Sequence, residues 1–455
     1  MSSSVAEYAP RIEALAHKLG LNYHPVDFEL VPTTFMMEVA VYGLPVRMPH
    51  WSFGVRYIHE LIRRSMGNSR IFEVMFPGNP CHAYLVSTNT VAENTLVTAH
   101  VLGHADFARN NQLFARFERM AGAHIVEHAA AQAHRIEEAV TRHGQQRVEA
   151  VLDAALALEP HVDVNHELHR PDYPVEIKPR TAPPDDDPFR GRFRGLPGEK
   201  SAPGALLEHH RAPIPESPEY DLLWFIARYG PELDDWERDV FLAVREESFY
   251  FYPVFACHIM NEGWASYWHA RLLREAEFLP ETLYLDAVKA HSDVVRPFAA
   301  EQQATLMVNP YHLGFSMWEH IVEERGIDEA RQICREEDDF GFIRNYLDRD
   351  LARKLGLFVY ESKTGGEIKI ASRDIDAVRE AILAPKFNYG APRIAVSELR
   401  TDGTLILAHD HASDGLGLDL GRAARVLEYV HRVWRRPVIL HTVDARGEPQ
   451  ELHKQ

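Results

Sequence analysis

"VAENTLVTAHVLGHADFARNNQLF", residues 91–114, repeats its apolar residues at helical spacing, and Asn89 or Thr90 stands where it could cap a helix ahead of Glu93. Within it, His100 and His104 are four residues apart. At 3.6 residues per turn both imidazoles lie on one face and could reach a common ion. The spacing is that of the zinc-peptidase pattern H-E-x-x-H, but Val101 occupies the place of its glutamate general base. Two readings are open: a metal site whose base comes from elsewhere, or two histidines sharing a face by chance in a chain that has 26 of them. Asp106 could accept a ring N–H, although an ideal helix turns it to another face.

Around this segment the pattern is mostly helical. Residues 5–18 read as a helix ending before Gly20, and Gly43, Pro45 and Pro49 break the chain before a helix from about Gly54. "RIFEVMFPGNPCHAYLVSTNT" (70–90) reads as short strands around a turn at 77–80. Helix resumes through 119–144 and 148–158. From about 160 to 218 periodicity is lost, and "HRPDYPVEIKPRTAPPDDDPFRGRFRGLPGEKSAPG" (169–204) reads as a long loop or insertion. Helical pattern returns from Tyr220 to about 358, and beta-like runs around "TLILAHDH" and "RPVILHTVD" come after it. The expected fold is a mainly α, catalytic-like body with short strands and a zinc-peptidase-like helical core, plus a small C-terminal α/β domain. The expected segments are 1–160, a proline-rich insertion at 161–218, 219–360, and the α/β domain at 361–455.

A length of 455 residues suits two or three domains, and 45% apolar with 25% charged residues is a globular composition that argues against disorder of the whole. A net charge of -18 disfavours a general role in coating nucleic acid or anionic lipid. The first twenty residues carry no secretory signal pattern, and no run reaches the ~18 apolar residues of a membrane span. Cys81, Cys257 and Cys334 are few and widely spaced, which fits a reducing cytoplasm better than a disulfide scaffold.

The second informative segment is "MNEGWASYWH", residues 260–269. Glu262 lies among Trp264, Tyr267 and Trp268, and a carboxylate in apolar surroundings needs a metal, a cation or several hydrogen bonds. His100, His104 and Glu262 together form the two-histidine, one-glutamate set of a tetrahedral zinc site with one position left for water. Zn2+ is therefore the expected cofactor. Gly263 would permit close helix approach, and His269 could be a further ligand or a proton carrier. The blander readings are an ion pair of Glu262 with an arginine such as Arg56, and a core stripe of tryptophans.

The missing base has several candidates. Glu73, among Phe72, Val74, Met75 and Phe76, would have a raised pKa if it faced a pocket, whereas strand alternation equally allows it to face solvent. His269 is the other. Glu93 lies seven residues, or about 10 Å, before His100 along a helix. Cys81 is either a thiolate at a helix start or a small buried thiol. His124, His128 and His134 could form a solvated face or a second cation site, and the "HDH" at 409–411 could bind a cation or cap a turn. The glycine motifs "TDG" and "SDGLG" are turns, not nucleotide fingerprints.

Taken together, "HWSFG" (50–54), "IFEVMFPGNPCHAYL" (71–85), "VTAHVLGHADFARNN" (97–111), "MNEGWASYWH" (260–269), "NPYHLGF" (309–315) and "DDFGFIRNYL" (338–347) resemble the SpoVR family, named for stage V sporulation protein R. The likeness extends in outline through "VWRRPVILHT" and so covers nearly the full chain. It picks out Glu73, Asn79, Cys81, His100, His104, Asn110, Asn111, Asn261, Glu262 and His269. It departs at 245–259, where "REESFYFYPVFACHI" replaces a more basic stretch. The resemblance implies a cytoplasmic protein linked to spore cortex assembly or stress responses, with a serine protein kinase and a von Willebrand-like protein as partners. Residues and resemblance together give two expectations: a metal-dependent hydrolase of an amide or peptide bond, or a noncatalytic scaffold with a structural metal site.

Overall fold

The computed structural model describes residues 7–65, 72–121, 124–169, 214–297, 308–362 and 368–455. Residues 170–213 of the expected proline-rich insertion lie outside the described residues. Contacts divide the chain into two compact units, residues 1–148 with 245–390, and 149–244 with 391–455.

The first unit is helical around a small sheet. Strands β1 (Val26–Val31), β2 (Glu73–Phe76) and β3 (Cys81–Val86) run in the order β1-β3-β2, with β1 parallel and β2 antiparallel to β3. The Pro77–Pro80 turn joins β2 to β3 as the sequence suggests. The helix expected from about Gly54 begins earlier, at Trp51, and Thr33–Tyr42 forms a further helix that stops at Gly43, whose φ of 78° only glycine adopts readily.

Four helices position the histidine pair and Glu262: α1 (Val91–Asn110), α2 (His258–Glu275), α3 (Glu281–Val294) and α4 (Pro310–Arg325). Thr90 caps α1 in a full capping box, its hydroxyl accepting from the Glu93 N–H while the Glu93 carboxylate accepts from Thr90 N–H. That role accounts for Glu93. Helix α1 is buried on nearly every side, because α2 covers one face and the sheet another. Val101 is fully buried in an apolar cluster with Ala83, Leu85, Val97 and Leu273. A glutamate at that position would point into this cluster.

The helices approach at backbone contact. A Cβ on Gly103 would come within 2.7 Å of Ala265 Cα, and one on Gly263 within 2.3 Å of the Gly314 carbonyl carbon. Gly263→Ala should therefore cost about 1–3 kcal/mol or more, since the clashing atoms are backbone and cannot rotate away. Urea unfolding checks this, and an unchanged midpoint would mean that α2 and α4 are less tightly engaged.

The remaining core of this unit holds Trp264, Trp268, Trp318 and Phe342, so the tryptophans do form a core stripe. Their polar edges organise it: Trp264 donates to the Asp106 carboxylate at 2.9 Å and Trp318 to the Met260 carbonyl at 3.0 Å. The hairpin of β4 (Val359–Ser362) and β5 (Ile368–Ser372) also belongs to this unit.

The second unit contains a four-stranded sheet, β6 (Ile394–Leu399), β7 (Leu405–His409), β8 (Val438–Val443) and β9 (Pro449–Lys454), in sequential order. The β7–β8 pair is parallel, connected by helix α5 (Leu420–Trp434), and the other pairs are antiparallel. Bridges from Ile214 to Leu399 and from Glu219 to Val396 attach a distant segment to β6. Contacts thus draw the boundary before this sheet at 390/391, and they group 219–244 with it. Periodicity reports where elements lie but not which distant segments join them. Among the described residues, no helix is long and apolar enough to cross a membrane.

Candidate metal centre

His100 and His104 project from α1 toward Glu262 on α2, and one donor atom of each lies within 4.8 Å of the others. Glu262 Oε2 is 3.6 Å from His100 Nε2 and 3.4 Å from His104 Nε2. Both separations exceed a hydrogen bond, and this oxygen is buried with no hydrogen-bond partner. With bonds of about 2.0–2.1 Å to a tetrahedral ion, neighbouring donors stand roughly 3.3–3.4 Å apart. The two Glu262 separations are close to that spacing, and the three donors could hold a divalent cation.

The second ring nitrogens are already committed. His104 Nδ1 lies 2.8 Å from the Asn261 side-chain oxygen, which can only accept, so the proton sits on Nδ1 and Nε2 is free to ligate. His100 Nδ1 lies 2.9 Å from His269 Nδ1, and His269 Nε2 lies 2.5 Å from His291 Nδ1 on α3. His269 is thus brought to the cluster but behind the His100 ring. Fully buried, with both nitrogens facing other imidazoles, it has no open edge for a substrate.

Glu73 reaches the site from β2, its Oε1 3.8 Å from His100 Nε2. It stands beside the compact donor set. Burial raises its pKa to about 7, with the Glu262 charge adding to the rise and His104 opposing it. The Glu262 carboxyl is held well below the usual range: burial would raise it, but His104 and His100 outweigh that. His104 is raised, because the Glu262 charge and hydrogen bonding to Glu262 and Asn261 overcome burial. Burial lowers His100 and His269, and brings His291 to about 4.

Sequence reasoning missed two neighbours. Tyr311, on α4, stacks near His100 with ring centroids 6.1 Å apart, and the Glu262 charge and burial raise its phenol well above the ordinary value. It lies in the "NPYHLGF" block, whose unusual composition was the available signal. His291 lies in a segment with no such mark. His258, one turn before Glu262, is half exposed with Nε2 3.8 Å from Glu262 Oε1.

Other candidates have structural roles. Asp106 accepts from Trp264 and from the Asn22 backbone, not from a ligand imidazole. Arg56 stacks on Phe53 and is not the partner of Glu262. Cys81 is buried, donates to the Gly78 carbonyl, and has its pKa raised by burial, the reverse of an activated thiol. Asn111 ties the end of α1 to the carbonyls of Cys334 and Glu337. His128 and His134 are exposed, each beside a glutamate. His409 is buried between Asp414 at 2.7 Å and Thr442 at 2.9 Å, so "HDH" organises a turn. One further group, His320, Glu324 and Asp348, could also hold a divalent ion. There His320 Nε2 is already hydrogen-bonded to Asp348 at 2.9 Å, and the Glu324 and Asp348 carboxylates are about half exposed.

Fold and site define a mainly helical protein whose buried histidines and glutamate could coordinate a divalent metal, with a separate C-terminal α/β region. The chain belongs to the SpoVR family: the model described as SpoVR like protein matches residues 2–390, and that of the SpoVR-like C-terminal domain matches 392–445. It is similar to the uncharacterized protein YcgB of Escherichia coli (strain K12), at 28% identity over 490 residues, covering 98% of this chain and 93% of that protein. No solved structure matches.

Proposed function

We propose that this protein is a zinc-dependent hydrolase of an amide or peptide bond, with an arrangement like that of helical zinc peptidases whose third ligand is a glutamate. His100, His104 and Glu262 would hold the ion. The observation that carries the reading is the buried, unpartnered Glu262 Oε2 facing two imidazole nitrogens at 3.4 and 3.6 Å. A bound zinc ion would supply Lewis acidity, polarising a carbonyl and activating water. Asn261 holds the His104 ring in the ligating tautomer. Glu73, which enters from the sheet, replaces the base that Val101 cannot provide and carries a proton between water and the leaving nitrogen. Three buried free cysteines are consistent with a reducing, cytoplasmic setting. A link to spore cortex or stress-response processes, with a serine protein kinase and a von Willebrand-like protein as partners, is the part of the proposal that family resemblance supports.

Metal analysis of protein purified without a histidine tag tests the centre. The native chain should hold about one equivalent under metal-replete conditions, and His100→Ala and Glu262→Ala should hold far less. Metal-free native protein in its folded form would end the reading. A structural metal site in a noncatalytic scaffold is the second reading, favoured by the closed imidazole packing behind His100. Loss of amide hydrolysis in Glu73→Gln with metal retained would separate the two.

A further inference from the structure

We propose that His269 and His291 are positioning residues that fix which nitrogen of His100 faces the donor set, acting through a directed chain of imidazole hydrogen bonds. The inference rests on the reading of His100, His104 and Glu262 as a cation centre. It adds a role for two residues that are not ligands.

A neutral imidazole carries one N–H, and its other nitrogen only accepts. His100 Nε2 faces Glu262 at 3.6 Å, while Nδ1 faces His269 Nδ1 at 2.9 Å. A lone pair on Nε2 for the ion requires the proton on Nδ1, so His100 donates to His269. His269 Nδ1 then only accepts, which puts its proton on Nε2, donating to His291 Nδ1 at 2.5 Å. The His291 proton falls in turn on its own Nε2. One lone pair at the centre thus sets three tautomers. In the reverse direction His100 would present an N–H to Glu262 and could not ligate.

Among the described residues, His269 makes its hydrogen bonds to His100 and His291. It is fully buried on α2, two turns beyond Glu262, and its ring centroids lie 5.1 Å from His100 and 4.7 Å from His291. Ligand histidines elsewhere donate to a carboxylate or carbonyl. The Ala265 carbonyl also favours an N–H on His100; the neutral His269 ring is a second acceptor at 2.9 Å, and it is anchored on α3, a third helix.

The test exploits what each substitute can do. A glutamine amide accepts through oxygen and donates through nitrogen, so His269→Gln can keep both links. Phenylalanine keeps a ring of similar bulk and makes neither. Zinc affinity, measured by competition with a chromophoric chelator, should fall about 10–100-fold in His269→Phe and stay within about threefold in His269→Gln. Equal affinity in His269→Phe and the native protein, or equal loss in both variants, would overturn the inference, because packing alone predicts that phenylalanine is tolerated better. His291→Leu, at a half-buried site, gives a second measure should His269→Phe fail to fold. It should weaken zinc several-fold, while His291→Asn retains more, and no difference from native in either would also overturn it. A native protein that binds no zinc defeats the centre itself, an outcome distinct from these.

Discussion

Zinc added to the metal-free protein should raise its stability by about 4 kcal/mol when the free ion stands 1,000-fold above Kd, and Glu262→Gln should abolish the rise. In the native chain the buried Oε2 of Glu262 has no hydrogen-bond partner and stands 3.4 Å from His104 Nε2. An ion binding among the three donors binds only where they are assembled, so it stabilises the folded form over the unfolded one. Glutamine keeps the shape of the side chain but removes the anionic donor. Urea unfolding of both proteins, with and without chelator, measures the difference. An equal rise in Glu262→Gln would place the ion elsewhere, with His320, Glu324 and Asp348 the alternative donor group among the described residues.

Asp339→Ala should destabilise the protein by about 3–5 kcal/mol, the usual result of leaving one member of a buried ion pair alone. Its fully buried carboxylate accepts from the backbone N–H groups of Ile259 and Met260, both at 2.9 Å, and lies 3.0 Å from the Lys386 ammonium. Those N–H groups open helix α2, where the helix dipole favours a negative charge. The substitution therefore removes a cap and strands a cation together. Asn261 and Glu262 come directly after them in the same turn, so zinc affinity should fall as well. The double variant Asp339→Ala with Lys386→Met should recover part of the loss, since no buried charge then remains unpaired. A single-variant cost below about 1 kcal/mol in urea unfolding would show that other contacts hold the start of α2.

The parts of this architecture that could be read from sequence were those set by local rules. The helical period around His100, the Thr90–Glu93 capping box and the turn at 77–80 depend on neighbours within four residues, and the structure shows each of them. Glu262 was legible because a carboxylate beside Trp264, Tyr267 and Trp268 demands a partner. Glu73 was ambiguous because a four-residue strand does not reveal which of its faces is covered. His291 was illegible, and Tyr311 was marked only by the unusual block around it, for a related reason: their roles arise from how α3 and α4 pack on α1. His269 was visible as a candidate, but its position behind His100 depends on the rotation of α2. The limits of the second unit depend on bridges from 214 and 219 to a strand near 396, which no periodicity can announce.

The two sides of the centre lie far apart along the chain, with residues 149–244 between them assigned to the other unit. From His104 to Glu262 is 262 − 104 = 158 residues, so at ~5–20 residues per second a ribosome delivers the carboxylate roughly 8–30 s after the imidazoles. Throughout that interval α1, destined for burial on nearly every side, has neither α2 nor α4 to cover it. The nascent chain therefore carries an apolar segment, with His100 and His104 on it, that stays uncovered until α2 and then α4 have been made.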